Sequence, residues 1–279
     1  GATAREALRL EGHVGPVAFS PNGDLLTTIV SEPVRRDDRD AFDESVIHLC
    51  DAGTGREVRR LRGHKKKVTS LAFSAGGGTL ASGSEDDTVR VWDVASGGEV
   101  RKLRGYEGDI VAVACSPDGR WLASGTEDGV IRLWEMATWN ELPRLAAHAG
   151  KVGSLAFSPD GEILASAGDD AALRLWATRP PATGGPAPKP LASVDDIGPG
   201  SRLEFGADGR RLVCRDYQGN VHGWTVARSA ATGPGAAPSS PPIVLKKHLE
   251  WKAPAQEGSA FALSPDGATL ATGSFRSII

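Results

Sequence analysis

Serine, histidine and aspartate, the side chains of nucleophilic acyl transfer, occur together twice: His64, Ser82 and Asp86, then His148, Ser166 and Asp170. In a hydrolase such a set activates one hydroxyl, with oxyanion donors placed opposite it. Here the set recurs at an offset of 84 residues (148 − 64), which a single active site does not require, and no motif supplies an oxyanion hole. Other chemical signals are weaker. Gly76 to Gly78 resemble a phosphate loop only in composition, since no GxxxxGK[ST] exists. Asp169-Asp170 lacks the density of a calcium loop. Lys65, Lys66 and Lys67 form a short basic run that reads as a solvated loop. Cys50, Cys115 and Cys214 are far apart and show no CxxC, so they read as small apolar strand residues in a reducing compartment.

Composition narrows the class. The 279 residues are 40% hydrophobic and 24% charged, with net charge −3, so the chain can bury a core. That charge offers no long-range attraction to nucleic acid or anionic membrane. No apolar run approaches the roughly 18 residues of a membrane span. The 35 Gly and 18 Pro call for many turns. Nine Lys beside 23 Arg indicate GC-rich coding, as in a bacterial source, and Gly1 in place of Met points to a piece of a longer chain.

The elements that hold these residues form an internal repeat. Trp92, Trp134 and Trp176 lie 42 residues apart, within copies at 63–104, 105–146 and 147–178. Each copy reads as four short strands, of which VTSLAF, TLASGS, TVRVWDV and EVRKLR are one example. SPDG at 116–119, 158–161 and 264–267 joins the first two runs as a tight turn, and an acidic turn such as EDD follows. A weaker copy at 12–62 has Cys50 in place of Trp, a charged insertion SEPVRRDDRDAFDE read as a loop, and a first strand about three residues short. Another, at 195–248, keeps Trp224. The stretches 179–190 and 227–242 are rich in Pro, Ala and Gly and fall between third and fourth strands. Trp121, Trp139 and Trp251 lie off the repeat and read as blade-edge packing or exposed contacts.

Repeated GH, SPDG, LASGS, an acidic turn and VRVWD resemble the WD-repeat family of β-propellers. The resemblance implies an all-β fold, one propeller domain over 1–279 built of four-stranded antiparallel blades. Copies near 13–62, 63–104, 105–146, 147–194 and 195–249 would each make a blade. Residues 250–279 completed by 1–12 would make a sixth, or seven blades would form if sequence is missing. The family also implies a buried hydrogen-bond chain through His64, Ser82, Asp86 and Trp92, and again through His148, Ser166, Asp170 and Trp176. The copy with Ser124, Asp128 and Trp134 has Tyr106 for His, so its chain should be rewired. Residues 196–224 have Cys214 and Gln218 where Ser and Asp would stand.

By the same resemblance the function is a non-catalytic scaffold, with no metal or cofactor, binding a protein or peptide on one face. The matching positions are Lys67, Thr69 and Glu85; Asp109, Val111 and Glu127; Lys151, Gly153 and Asp169; and Tyr217. Four acidic and two basic side chains among them favour a basic or amphipathic peptide, with neither nucleic acid nor membrane as partner. The expected location is cytoplasmic. A sensor or scaffold portion of a larger protein is the second reading, and a propeller hydrolase is the alternative from another class.

Overall fold

The four apolar-alternating runs of each repeat become the strands of one antiparallel sheet, in five four-stranded sheets and one three-stranded sheet. The computed structural model describes residues 13–33, 43–179, 188–198, 202–216, 218–228, 243–251, 258–263, 270–274 and 277–278. Among these there is no helix. Two compact units divide the chain, 1–115 and 116–279.

In the first unit, β1 (His13–Phe19), β2 (Leu25–Pro33), β3 (Asp43–Asp51) and β4 (Glu57–Leu61) form one meander. A second contains β5 (Val68–Phe73), β6 (Thr79–Ser84), β7 (Thr88–Asp93) and β8 (Glu99–Leu103). Strand β9 (Ile110–Cys115) packs on the second meander. The second unit begins with β10 (Trp121–Thr126), β11 (Val130–Glu135) and β12 (Leu145–Ala146). There follow β13 (Val152–Phe157), β14 (Ile163–Gly168), β15 (Leu173–Ala177) and β16 (Ala192–Val194). Next come β17 (Arg202–Phe205), β18 (Arg211–Arg215), β19 (Val221–Arg228) and β20 (Ile243–Trp251). The three-stranded sheet contains β21 (Gly258–Leu263), β22 (Leu270–Ser274) and β23 (Ser277–Ile278).

One register repeats in the five four-stranded sheets. A second-strand leucine faces the third-strand anchor as Leu80↔Trp92, Leu122↔Trp134, Leu164↔Trp176 and Leu212↔Trp224, and Leu26↔Cys50 occupies the same place. The first turns match as well: Gly119 N–H donates to Ser116 O at 2.9 Å, with Gly119 at φ 73°. Gly77 repeats this with φ 69°, so the GGG segment is a turn.

Glycine in the second strand decides how closely neighbouring sheets approach. A Cβ on Gly83 would lie 2.6 Å from Ile110 Cγ2, and one on Gly125 would lie 2.6 Å from Val152 Cγ1. The cores fill these seams. Trp92, Leu80 and Val68 pack against Ile29, Ile47, Leu49 and Leu61 in the first unit, and Trp224 and Leu212 pack against Leu173 and Leu175 in the second.

Two sequence expectations change. The deficit of the first copy falls in the connection and not in the strand, because β1 starts at His13 and has seven residues against six in β5. The charged insertion is not all loop, because its ends extend the β2–β3 ladder through Glu32↔Glu44 to Pro33↔Asp43. Pro33 sits at the ladder's end, where its missing N–H costs least. Residues 1–12, 34–42, 229–242, the turn at 264–267 and Tyr217 lie outside the described residues, and so does the expected completion of the last sheet by the N-terminal segment.

Candidate functional site

The histidine sets are built from the end of one sheet and the body of the next. In the second sheet His64 Nε2 lies 2.7 Å from Ser82 Oγ, and the Trp92 indole N–H donates to the same oxygen at 2.9 Å. Since Ser82 Oγ accepts from the indole, its own hydrogen goes to Nε2. That leaves Nδ1–H to donate to Asp86 Oδ2 at 3.0 Å. Lys65 N–H and the Thr88 hydroxyl also donate to Asp86. In the second unit His148 Nε2 meets Ser166 Oγ at 2.8 Å, Trp176 donates to that oxygen at 2.9 Å, and His148 Nδ1 meets Asp170 Oδ1 at 2.8 Å.

The nitrogen roles match those of a hydrolytic triad, but the surroundings do not. Ser82 and Ser166 are fully buried, and each hydroxyl oxygen is already an acceptor for an indole. No substrate carbonyl can reach either one. Burial lowers the His64 and His148 pKa values despite their aspartates, so both rings stay neutral at pH 7. Hydrogen bonds from His148, Arg174 and Ala149 hold Asp170 down at about 2 against the opposing cost of burial. Asp86 is lowered further for the same kind of reason. These groups lock turns onto strands.

The other sheets use different partners. Ser124 Oγ donates to Arg132 O at 3.4 Å, the Thr126 hydroxyl caps Asp128, and Arg132 forks onto Glu141 at 2.6 and 2.5 Å. Beside Cys214, Asp216 is held by Asn220 through two bonds of 2.8 Å, and His222 stacks on Trp224 at 6.0 Å. Trp121 is buried beneath Arg120, and Trp139 is half-buried with φ 60°. Desolvation pushes the Cys115 thiol up to about 12 and raises that of Cys50, which makes both poor nucleophiles.

Residues not singled out from the sequence complete the pattern. Arg90, Arg132 and Arg174 oppose Ser82, Ser124 and Ser166, and His48 opposes Thr28 in the same register. Nine residues later an acid meets each of the first three in chain order: His48–Glu57, Arg90–Glu99 and Arg132–Glu141. Glu32 takes the place of Asp86 in the first sheet, six residues past Leu26 as Asp86 is past Leu80, and binds Arg62 at 2.5 Å. The i, i+9 spacing was legible in the sequence. The role of Glu32 was hidden in an irregular insertion.

The positions flagged for partner binding flank the first two hairpin strands. Glu85 N–H donates to Lys67 O at 2.9 Å, and Asp169 N–H donates to Lys151 O at 3.0 Å. Each lysine therefore neighbours an acid across a hairpin mouth. Lys67, Glu127 and Asp169 are exposed, whereas Glu85, Asp109, Val111, Lys151 and Gly153 are half-buried. Thr69 Oγ1 lies 2.5 Å from Ile110 O, so its hydroxyl belongs to the seam with β9. No group of three or more His, Cys, Asp or Glu among the described residues could hold a metal ion.

The family described as WD domain, G-beta repeat (WD40), matches residues 55–93, 97–135 and 139–177. The chain carries three WD40 repeats on a β-propeller fold. Each matched span of the propeller starts at the turn before one sheet's outermost strand and ends on the next sheet's third strand, so the sequence repeat straddles two blades. The fold is similar to the β-propeller domain of Cps50 (Swd1) from Myceliophteria thermophila, with TM-score 0.72 and 20% identity over 98% of this chain and 83% of that one. It is also similar to a chain of a mitotic checkpoint complex, with TM-score 0.71 and 21% identity over 92% of this chain and 70% of that one. A curated relative, the periodic tryptophan protein 2 homolog of Neurospora crassa, is 49% identical over 51 residues, which are 18% of this chain and 5% of that protein. The propeller thus spans a small part of that relative's length. No helix among its described residues is long and apolar enough to cross a membrane.

Proposed function

We propose that this propeller is a non-catalytic platform that holds a protein or peptide partner at its hairpin mouths, in the cytoplasm. The observation that carries the reading is the pairing of a lysine with an acid across two of the mouths, Lys67 with Glu85 and Lys151 with Asp169. A rigid, hydrogen-bonded framework sits directly beneath them. WD40 propellers generally serve as protein-interaction scaffolds, and buried, indole-bonded serines support the non-catalytic half of the reading.

Glu85, Asp109, Glu127 and Asp169 outnumber Lys67 and Lys151. This slightly acidic set fits a basic or amphipathic peptide by complementarity. Nucleic acid and anionic membrane fit it poorly. Partner recovery in a pull-down should fall at least tenfold when Glu85→Lys, Glu127→Lys and Asp169→Lys are combined, with the melting temperature kept near that of the parent. Unchanged recovery would remove the assignment of this face. A role as the binding portion of a longer protein is the second reading. It is favoured by the 51-residue match, in which the whole shared region is a small part of a much longer relative.

A further inference from the structure

Two histidines meet at one irregularity of the sheet built from β17 to β20. Three outer strands carry a bulge in the same register. Val58 is passed over between Glu57 and Arg59 on β4, Val100 between Glu99 and Arg101 on β8, and His248 between Lys247 and Leu249 on β20. Val58 and Val100 are exposed, so those two bulges present an uncharged side chain. The neighbouring third strand changes at the same level. Two residues before the anchor stand His48, Arg90, Arg132 and Arg174, and β19 has His222 there. The first three each pair with an acid nine residues later, whereas Ala231 stands nine residues after His222. A Cβ on Gly223 would lie 3.2 Å from His248 Nε2, so the second imidazole covers the glycine next to His222.

His222 is 8% exposed and stacks on Trp224 at 6.0 Å, and its buried Nδ1 has no hydrogen-bond partner among the described residues. Cys214 on β18 and Glu250 on β20 stand directly opposite it. Lys247 on β20, Asp216 after β18 and Asp196 before β17 also act on its charge. The nearest acids have other partners: Glu250 accepts from Lys247 Nζ at 2.9 Å, and Asp216 is held by Asn220. Burial lowers the His222 pKa and Lys247 lowers it further, against the pull of Glu250, Asp216 and Asp196. The ring therefore resists a proton while β20 is seated and accepts one once the strand lifts. Acid also adds charge to His248, which places two imidazolium groups beside Lys247 where the bulge already interrupts the ladder.

The geometry points to an acid-operated latch: protonation of His222 and His248 lifts residues 247–251 of β20 and leaves the edge of β19 open. This goes beyond the hairpin-mouth reading, because none of these residues belongs to that set.

The test is amide hydrogen exchange of the 279-residue chain at pH 7 and pH 5, corrected for the intrinsic rate. Protection of residues 247–251 should fall severalfold more than that of β8, whose bulge holds Val100 and whose facing pair, Arg90 and Lys102, stays charged throughout. His222→Phe keeps a ring against Trp224 that cannot take a proton. It should keep the protection seen at pH 7 and abolish the extra acid loss, while the general decline remains in both strands. His222→Gln should do the same if phenylalanine does not fit. His248→Val, which copies the other bulges, should remove part of the extra loss. In a histidine-labelled sample the resonance absent from the His222 variants should titrate below an ordinary imidazole. Equal acid losses in β8 and residues 247–251, or an extra loss that survives in both His222 variants, would overturn the proposal.

Discussion

At the scale of the residue, the imidazole is the pivot of each complete set. Ser82 accepts from Trp92 and donates to His64, so one hydroxyl satisfies two buried groups. Ser82→Ala should therefore leave both unpaired and destabilise the fold by about 3 kcal/mol, read from urea unfolding. The parent and this variant should both turn over p-nitrophenyl esters at the buffer rate; a serine-dependent rate would restore the hydrolase reading. Acidification acts on the same groups. His64 and His148 have lowered pKa values, so the unfolded chain takes up their protons first and stability declines as pH falls below about 6.5. Asp170 and Asp86 are lowered too, so their contributions are full above the ordinary aspartate range and disappear as pH falls toward the folded values, about 2 for Asp170. Unfolding free energy should drop steadily from pH 7 to pH 3. A shallower slope between pH 7 and pH 5 is expected for His148→Gln.

At the scale of the element, two kinds of glycine have separable roles. Gly119 is in a turn at φ 73° with open space around its Cβ position, so Gly119→Ala should cost about 1 kcal/mol through backbone strain alone. Gly125 has no such φ, yet a Cβ would press on Val152 Cγ1 at 2.6 Å and Cβ at 2.7 Å. Gly125→Ala should cost about 2–3 kcal/mol by overpacking, and Val152→Ala in the same chain should recover part of it. Chemical denaturation of the four chains decides this; additive losses would contradict the seam. Hairpin lengths follow similar logic. Arg228↔Ile243 closes the β19–β20 ladder at the base of residues 229–242. Replacing that segment with Asn-Gly should leave the melting temperature within about 2 °C, since pairing is complete before it begins.

At the scale of the whole molecule, the chain repeats one solution with local substitutions. Where the histidine set is intact, as in the sheets of Trp92 and Trp176, a neutral imidazole joins turn to strand. Where it is lost, ionic or amide pairs take over: Glu32 with Arg62, Arg132 with Glu141, and Asp216 with Asn220. The Glu32–Arg62 pair is partly exposed and so screened by salt, while the histidine sets are buried. High salt should therefore weaken protection of β2 and β4 amides before that of β6 and β14, measured by hydrogen exchange. Uniform loss across all four strands would argue against this division.

The sequence alone determined the repeat, the four-strand unit and the turn chemistry, and its resemblance to WD repeats implied the residues of each histidine set. The first three depend on local rules: alternation along a strand and Gly at positive φ in turns. Only the tertiary structure decided that the first copy's deficit lies in a connection and that Glu32 stands where an aspartate would. It alone revealed that Thr69 belongs to a seam, that Gly83 and Gly125 set the approach of neighbouring sheets, and that Lys102 faces Arg90. Each of these depends on which residues lie opposite one another across strands and seams. A one-residue change of register would reverse such an assignment, and no local pattern in the chain records it.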